Sequence, residues 1–255
     1  MSGSAELVEL LALSKAVATA AGDRLLAGRI PGARRYVHAT EHAREIKAVA
    51  DSVMEEQILQ ALAPTGLAIL SEESGLMAGR AGASGRWFIV DPLDGTFNFV
   101  KGLGPSAVSI AVWDGQQPLF GVIYSLADRQ LSWGGRGLGA ESNGEPIAVS
   151  ETSSFDRASI CTGFPVRFDL DGDAAMTDFW RTVRPFAKVR MLGSASVSLL
   201  HVARGSADMY AERNIMLWDV AAGLAIVEGA GGTIRCVPGS AEFSLDVHAS
   251  NGRLS

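Results

Sequence analysis

Two acidic residues leave an apolar run and enter a glycine turn in the stretch Trp87-Phe88-Ile89-Val90-Asp91-Pro92-Leu93-Asp94-Gly95-Thr96-Phe97-Asn98-Phe99. The run Phe88-Ile89-Val90 is typical of an interior strand, and the following Asp-Pro pair predicts its end. The Asp94-Gly95-Thr96 segment predicts a new turn or helix, and backbone N–H groups at such a start can hold a phosphate. Two carboxylates three residues apart suit Mg²⁺, which binds a few carboxylates together with waters and phosphate oxygens. The stretch therefore predicts a metal site at a strand end.

The same residues also have an ordinary structural interpretation. Asp-Pro and Asp-Gly are common turn dipeptides, and Asp often caps helices. Further acids lie in similar places, however. Glu72-Glu73 follows the apolar run 67–70, and Asp219 opens a small-residue segment typical of a helix. Three acidic groups at the ends of apolar elements favour one shared site over three separate caps.

The three acidic segments together resemble the motifs of the inositol monophosphatase family, the Mg²⁺-dependent, lithium-sensitive phosphomonoesterases. The family's Glu-Glu motif matches Glu72-Glu73, and its Asp-Pro-hydrophobic-Asp-Gly-Thr motif matches Asp91 to Thr96. Its Trp-Asp motif matches Trp218-Asp219. The order and spacing are those of the family, and the resemblance covers nearly the whole chain.

The resemblance implies a catalytic centre with two or three Mg²⁺ ions. The implied metal ligands are Glu72, Asp91, the Leu93 carbonyl, Asp94 and Asp219. Asp51 would be the acid near the nucleophilic water, which it would orient together with Thr96. The backbone amides of Gly95 and Thr96 would hold the phosphate.

The resemblance also implies a substrate pocket built mostly from the C-terminal half. Its residues would be Asp94, Ser194, Ala195, Glu212 and Arg190. Glu212 would accept hydrogen bonds from substrate hydroxyls. An alternative is that Glu212 is an exposed charge beside Arg213, and that Arg190 is a solvated residue at an edge.

Two positions depart from the family pattern. The family commonly has Asp-hydrophobic-Val-Thr shortly before the acid that aligns with Asp51, whereas this chain has the run 43–51, Ala-Arg-Glu-Ile-Lys-Ala-Val-Ala-Asp. Asp51 can therefore also be interpreted as a solvated helix acid beside Glu55 and Glu56. Phe97 replaces a frequent second threonine after the Asp-Gly-Thr core.

The chemistry explains why several acids would converge. Carboxylates that are packed together repel one another and take up protons unless cations neutralise them. A nucleophilic Ser or Cys would be the competing mechanism. Cys161 and Cys236 lie outside the acidic motifs, however, and we interpret both as small core residues.

Composition is consistent with a soluble enzyme but does not indicate which one. With 255 residues and 47% hydrophobic content, the chain can bury a large core. The formal charge of −6 argues against a broadly basic face, so nucleic acid is not an expected partner. Two cysteines indicate no disulfide framework and fit a reducing, cytoplasmic location. No apolar run is long enough for a membrane helix, and early acids argue against a secretory signal.

Hydrophobic periodicity predicts a mixture of helices and strands. Helices are expected at 5–26, at 43–62, after Ala195 and after Asp219. Strands are expected at 67–70, 87–90, 107–113, 119–124, 159–162 and 188–191, with a hairpin at Asp114-Gly115. The prediction divides one compact unit into an N-terminal α+β subdomain at 1–140, with most metal ligands, and a C-terminal α/β subdomain at 141–255, with Asp219 and the substrate pocket.

The fold that the resemblance implies is an α/β (α+β) layered α-β-α-β-α sandwich, related to the sugar bisphosphatases. The expected protein is a homodimer that hydrolyses a small phosphorylated metabolite, with inositol monophosphate as the default substrate. Relatives handle histidinol phosphate, fructose 1,6-bisphosphate and 3′-phosphoadenosine phosphates. A regulatory, protein-binding role with catalysis secondary is the alternative from another class of function.

Overall fold

The computed structural model of the protein describes residues 2–37, 47–80, 85–115, 117–166, 168 and 170–254. The helices are α1 (Ser2–Leu26), α2 (Val49–Leu62), α3 (Thr96–Lys101), α4 (Asp173–Val183), α5 (Ala195–Ala203) and α6 (Leu217–Gly229), with one 3₁₀ turn at Ala63–Thr65. The strands are β1 (Tyr36–Val37), β2 (Lys47–Ala48), β3 (Ala68–Ser71), β4 (Gly75–Met77), β5 (Arg86–Asp94), β6 (Ala107–Asp114), β7 (Gln117–Ser125), β8 (Gln130–Gly135), β9 (Gly139–Ser142), β10 (Glu145–Pro146), β11 (Ser159–Cys161), β12 (Lys188–Arg190), β13 (Met209–Met216), β14 (Thr233–Pro238) and β15 (Ser244–Ser250).

Two large sheets organise the described part of the chain. The first has the strand order β10-β9-β8-β7-β6-β5-β3-β4, and the second has the order β12-β11-β13-β15-β14. Strands β1 and β2 form a separate antiparallel pair. Most neighbours are antiparallel, but β3 is parallel to β5, and β11 is parallel to both β12 and β13.

The sheets and helices stack in five layers. Helices α1 and α2 pack on one face of the first sheet, and α6 packs on its other face. Helices α5 and α6 also contact the second sheet, whose outer face packs against Phe179 of α4. The order of layers is therefore α-β-α-β-α, which confirms the predicted fold class.

Side-chain alternation along the strands explains this layering. In β5, Phe88 and Val90 belong to the core beneath α1 and α2, whereas Ile89 belongs to the core shared with α5 and α6. Successive strand residues point to opposite faces of a sheet, so a run that is apolar at every position marks a strand covered on both faces.

The middle helix α6 has to fit between two sheets, and its sequence is apolar and small on all sides. A Cβ on Gly121 of β7 would lie 2.2 Å from the Ala222 carbonyl oxygen, and a Cβ on Gly223 would lie 2.5 Å from the Leu199 Cβ. Gly121 therefore allows the close approach of α6 to the first sheet, and Gly223 allows that of α6 to α5. A helix that is hydrophobic all round is typical of such a buried layer.

Several element predictions are confirmed and others are wrong. The predicted strands at 67–70 and 107–113 correspond to β3 and β6, and the Asp114-Gly115 hairpin joins β6 to β7. The predicted helix at 43–62 begins only at Val49, because Lys47 and Ala48 pair with β1; residues 43–46 lie outside the described part. The subdomain boundary at 140/141 stays a prediction.

The Asp-Pro pair does not end the strand, contrary to the prediction. Strand β5 continues to Asp94, with a shift of register between Asp91 and Asp94. Pro92 has no N–H to donate, so it is accommodated where the ladder is interrupted. The resulting irregularity directs both acids to the same end of the sheet.

The prediction that both cysteines are core residues is confirmed for Cys161 and wrong for Cys236. Cys161 is buried in the core around α5 and α6, whereas Cys236 is exposed on β14. Both thiols are free. Strand β14 is an edge strand with mostly exposed residues, so it does not bury the Cys236 side chain.

Candidate active site

The parallel pairing of β3 with β5 brings the first acids together. Ser71 lies opposite Val90, so the next residues on the two strands are Glu72 and Asp91. The Glu72 N–H donates a hydrogen bond to the Val90 carbonyl at 3.3 Å, which continues the ladder past the end of β3. Carboxyl ends of parallel strands meet at one sheet edge, and here both of them carry acids.

Asp91 is buried, and its two carboxylate oxygens have different surroundings. Oδ1 accepts a hydrogen bond from the Leu93 N–H at 2.9 Å. Oδ2 has no hydrogen-bond partner among the described residues, although it is buried. A buried carboxylate oxygen without a partner is costly, and a cation at this position would remove the cost.

Asp94 is the last residue of β5, and its carboxylate lies against the start of α5. Its Oδ2 accepts hydrogen bonds from the Ser194 hydroxyl at 2.5 Å and from the Ser196 N–H at 2.8 Å. Its Oδ1 accepts a longer one from the Ala195 N–H at 3.3 Å. An acid at a helix N-terminus satisfies N–H groups that have no partner within the helix. Asp94 therefore joins the first sheet to the central helix layer.

The first turn of α6 supplies Asp219. Ligand atoms of Asp91, Asp94 and Asp219 all lie within 4.8 Å of one another. The Asp219 carbonyl oxygen accepts a hydrogen bond from the Ser196 hydroxyl at 3.1 Å, so α5 contacts both Asp94 and Asp219. Three carboxylates from a strand and a helix thus form one acidic group.

A second acidic group lies next to the first. Ligand atoms of Asp51, Glu72 and Glu73 also lie within 4.8 Å of one another. Lys47 forms an ion pair with Glu73 at 2.7 Å and offsets part of the negative charge. Glu73 and Lys47 were not assigned roles from the sequence, although Glu73 belongs to the Glu-Glu motif.

Glu55 supports this second group from α2. Its carboxylate accepts hydrogen bonds from the Glu73 N–H at 3.1 Å, the Ser74 N–H at 3.0 Å and the Ser74 hydroxyl at 2.6 Å. These bonds fix the turn after β3. No local sequence pattern indicates this role, because Glu55 is 18 and 19 positions away from Glu73 and Ser74.

Asp51 and Thr96 meet although they are distant in sequence. Asp51 is only 1% exposed, so its interpretation as a solvated helix acid is wrong. Its Oδ1 accepts a hydrogen bond from the Thr96 hydroxyl at 2.8 Å, and its Oδ2 accepts one from the Ala48 N–H at 2.7 Å. The Thr96 hydroxyl can instead donate to the Leu93 carbonyl oxygen, at 2.9 Å.

Burial and mutual repulsion shift the pKa values of these acids. Burial raises the pKa of Asp51 to about 6, against the opposing effect of its hydrogen bonds from Thr96 and Ala48. Burial likewise raises the pKa of Asp94 to about 6. Burial, together with the neighbouring acids, holds the pKa values of Glu72 and Asp91 well above their usual range. The carboxylates of this site are therefore stabilised either by protonation or by bound cations.

The two acidic groups fit divalent cations. Hard cations prefer carboxylate oxygens, and the unpartnered Asp91 Oδ2 is such an oxygen at the centre of the site. The Leu93 carbonyl, the remaining predicted ligand, is buried beside Thr96 and accepts the hydrogen bond just described. Cations would offset the repulsion between the groups.

Gly95 is the turn residue that connects β5 to α3. Its φ is +82°, and a Cβ would lie 2.8 Å from the Pro105 carbonyl oxygen and 3.2 Å from the Ser194 Cβ. Only glycine meets both conditions without strain. Asn98 of α3 then donates hydrogen bonds to the carbonyl oxygens of Leu192, at 2.7 Å, and Pro105, at 2.9 Å. The Asp-Gly-Thr segment is therefore fixed against the loop before α5.

A cavity of about 360 Å³ opens above the acids. Its described lining residues are Glu72, Asp94, Gly95, Thr96, Phe97, Gly163, Phe164, Pro165, Val166, Gly193, Ser194, Ala195, Glu212, Asn214, Ile215, Met216, Trp218 and Asp219. Volumes of this order are typical of sites for small molecules. The predicted phosphate-binding and substrate-binding residues lie in this lining, with one exception.

Arg190 is the exception. It lies exposed on the edge strand β12, and its guanidinium donates to the adjacent Val189 carbonyl oxygen at 3.0 Å. It is not among the described residues that line the cavity.

Glu212 lines the cavity and is only partly exposed, in contrast to its neighbour Arg213. A Cβ on Gly163 would lie 2.7 Å from the Glu212 Oε1, so the carboxylate packs closely against that glycine. Burial, reinforced by Asp219 and Asp94, raises the pKa of Glu212 to about 8. The alternative that Glu212 is a freely exposed charge is therefore wrong.

Within the described ranges, no helix has the length and apolar character that crossing a membrane requires.

Comparison with known proteins agrees with this geometry. The family model for the inositol monophosphatase family matches residues 6–254. The chain is 37% identical over 186 residues to the fructose-1,6-bisphosphatase/inositol-1-monophosphatase of Aquifex aeolicus, which covers 73% of this chain and 69% of that protein. It is 35% identical over 215 residues to the Nus factor SuhB of Pseudomonas aeruginosa, covering 82% and 79% of the two chains.

A solved structure is similar over almost the whole fold. The inositol monophosphatase from Anabaena (Nostoc) sp. PCC 7120 superposes with a TM-score of 0.81 and 31% sequence identity, covering 97% of this chain and 92% of that one. The family model, the relatives and the layered fold agree. The chain belongs to the inositol monophosphatase family.

Proposed function

We propose that the protein is a Mg²⁺-dependent phosphatase that hydrolyses a small phosphomonoester. Family membership and its phosphatase relatives support hydrolysis of a phosphate ester. The single observation that carries the metal-dependent mechanism is the convergence of two groups of three carboxylates beside one cavity. Carboxylates that are buried or half-buried and lie this close repel one another, so the arrangement is costly unless cations neutralise them.

The proposed metal ligands are those that the resemblance implies: Glu72, Asp91, the Leu93 carbonyl, Asp94 and Asp219, with two or three Mg²⁺ ions. When bound, Mg²⁺ supplies positive charge to the carboxylates and the phosphoryl oxygens and lowers the pKa of a nearby water. The close approach of the carboxylates of Asp91, Asp94 and Asp219 supports one group of ligands, and that of Glu72 to its acidic neighbours supports the other.

Asp51 and Thr96 are the proposed pair that orients the attacking water. The Thr96 hydroxyl has one proton and two acceptors within 2.9 Å, Asp51 and the Leu93 carbonyl. Its oxygen lone pairs therefore remain to accept a hydrogen bond from water, and Asp51 holds the hydroxyl in that orientation. This arrangement fits general-base assistance of the attack on phosphorus.

The phosphate would lie against the Gly95 and Thr96 amides at the start of α3. The tight, left-handed Gly95 positions this segment at the wall of the cavity. A helix start presents backbone N–H groups to an anion. The alcohol portion of the substrate would then extend towards Ser194, Ala195 and Glu212, with Asp94 between the two regions.

Inositol monophosphate is the default substrate, and histidinol phosphate or a sugar bisphosphate is the alternative within the family. The deciding experiment is phosphate release, with and without Mg²⁺, from inositol 1-phosphate, histidinol phosphate, fructose 1,6-bisphosphate, 3′-phosphoadenosine 5′-phosphate and glycerol 2-phosphate. Mg²⁺-dependent turnover of at least one supports the proposal. Purified protein that binds Mg²⁺ and hydrolyses none of them would contradict it.

A regulatory role is the second candidate, because one relative with 35% identity is named a Nus factor. Under this proposal the chain would contact a protein partner. The predicted homodimer and the predicted cytoplasmic location stay predictions under either function. An Asp94→Asn variant separates the two functions in a cell that lacks the native protein. Full cellular function of the inactive variant would favour the regulatory role, and loss of function at an unchanged level of folded protein would favour catalysis.

A further inference from the structure

Two aromatic side chains at the cavity have no role in the proposed chemistry. Phe97 follows Thr96 on α3 and is 47% exposed, and Phe164 lies beside Gly163 and is 37% exposed. Both line the cavity. Large aromatic side chains that stay exposed inside a concave site are typical of ligand contacts, because their burial is completed only when a ligand binds.

Phe164 is held in place by other aromatic rings. Its ring centroid lies 4.6 Å from that of Phe179 and 4.9 Å from that of Phe168. The ring is therefore packed on one side and open to the cavity on the other. A wall that is already ordered loses little conformational entropy when a ligand packs against it.

The described residues around these rings offer few groups that could pair with substrate hydroxyls. Pro165, Val166, Ile215 and Met216 extend the apolar lining. The Ser194 hydroxyl already donates to Asp94, and the Asn214 Oδ1 accepts hydrogen bonds from the N–H and the hydroxyl of Ser240. The polar groups of the lining, among them the Glu212 carboxylate, therefore lie to one side of the rings. Polyol hydroxyls turned towards the rings themselves would face apolar carbon and find no hydrogen-bond partner, which is costly.

We infer that Phe97 and Phe164 form an apolar subsite that binds an aromatic group on the alcohol portion of the substrate. The inference rests on the proposed phosphatase function, and it replaces the default substrate, inositol monophosphate, by another class of phosphorylated alcohol. The preferred substrate is a phosphomonoester of an aryl-substituted or heteroaryl-substituted alkyl alcohol. Its phosphate lies at Gly95 and Thr96, its ring lies against the two phenylalanines, and a polar group on it faces Glu212.

The test compares two substrates that differ in the alcohol: 2-phenylethyl phosphate and inositol 1-phosphate. We expect Phe97→Thr to lower the ratio of their kcat/KM values about ten-fold, because the ring loses a stacking partner. Threonine suits this exposed position in the fold, and Phe97→Tyr, which keeps the ring, should restore the ratio. Phe164→Leu should lower the ratio in the same direction.

Trp180→Ala provides the matched control. Trp180 is an aromatic residue on α4 with 62% exposure, and it is not among the described residues that line the cavity. This variant should leave the ratio unchanged. An unchanged ratio in both phenylalanine variants, or an equal fall in the Trp180 variant, would overturn the inference.

A binding measurement keeps the test independent of turnover. Titration calorimetry in Mg²⁺ buffer would use 3-phenylpropylphosphonate, the methylene analogue of 2-phenylethyl phosphate, which cannot be hydrolysed. We expect about ten-fold weaker binding to Phe97→Thr than to the wild type or to Trp180→Ala. Equal affinity for all three proteins would overturn the subsite. Absence of turnover of every substrate would instead contradict the phosphatase function, while the titration still decides the subsite.

Discussion

The Thr96 hydroxyl donates a hydrogen bond to the Asp51 carboxylate at 2.8 Å, across 45 positions of sequence. This bond links the first turn of α2 to the first turn of α3, and it is buried at both ends. In the proposed mechanism the two residues act together, since Asp51 orients the hydroxyl and Thr96 places it in the cavity lining.

Removal of the Thr96 hydroxyl should therefore slow the reaction more than it weakens binding. We expect Thr96→Val to lower kcat about 100-fold, because a positioned proton acceptor contributes on this scale. Thr96→Ser keeps the hydroxyl and should retain most of the activity. Steady-state kinetics on the best substrate of the panel measures both variants. Equal loss in the two would contradict the proposed role, because the variant that keeps the hydroxyl would then be no better than the one that lacks it.

Asp94 has a structural role as well as its proposed metal role. Asp94→Asn would place an amide N–H₂ group against donors at the start of α5, so we expect the free energy of unfolding to fall by about 1–3 kcal/mol. We also expect weaker Mg²⁺ binding and loss of most turnover. Urea unfolding and calorimetry measure the two effects. Asp114→Asn, at an exposed hairpin, is the control and should change neither.

The acidic cluster should make the metal-free protein less stable as pH rises. Burial raises the pKa values of Asp51 and Asp94 to about 6. A carboxyl whose pKa is higher in the folded than in the unfolded state binds more protons when folded, so it stabilises the fold at low pH and loses that effect as pH rises through the folded pKa. We expect Tm without metal to fall from pH about 4 to above 6.

Mg²⁺ should reverse this loss, because it replaces the protons. The rise in Tm on adding Mg²⁺ should be larger at pH 8 than at pH 5. Differential scanning fluorimetry in chelator and in Mg²⁺ measures it, and an Asp51→Asn variant should show a shallower fall in Tm with pH. An equal effect of Mg²⁺ at both pH values would speak against a cation site in the cluster.

Glu212 should affect substrate preference more than phosphate handling. Glu212→Gln keeps the shape but replaces one acceptor oxygen by an N–H₂ donor, so kcat/KM for inositol 1-phosphate should fall about ten-fold relative to that for glycerol 2-phosphate. Glu145→Gln, on the exposed strand β10, is the matched control. An equal loss on both substrates would count against the pocket role of Glu212.

The exposed position of Arg190 leads to a different expectation from that of the family alignment. Arg190→Ala should leave kcat/KM on every substrate within about two-fold of the wild type, since surface substitutions away from a site have small effects. A selective rise in KM for one substrate would restore Arg190 to the substrate pocket.

Sequence alone determined the elements whose signals are local. Short stretches of sequence were enough to predict the apolar runs of β3, β5 and β6, the Asp-Gly hairpin and the three acidic motifs. Strand burial and turn chemistry both leave local patterns in the sequence. The family resemblance then implied the five layers, which the structure confirms.

Tertiary structure decided what depends on contacts between distant segments. Three contacts join residues that are far apart in sequence: Thr96 with the buried Asp51, Glu55 with the Glu73 N–H, and Asp94 with the start of α5. No local window of sequence contains both partners of any of them. The exposure of Cys236 and Arg190 has the same origin, because only the strand order shows that β14 and β12 are sheet edges. Residue type sets what a side chain can do, whereas burial and neighbours, which the closed fold supplies, set whether it does so.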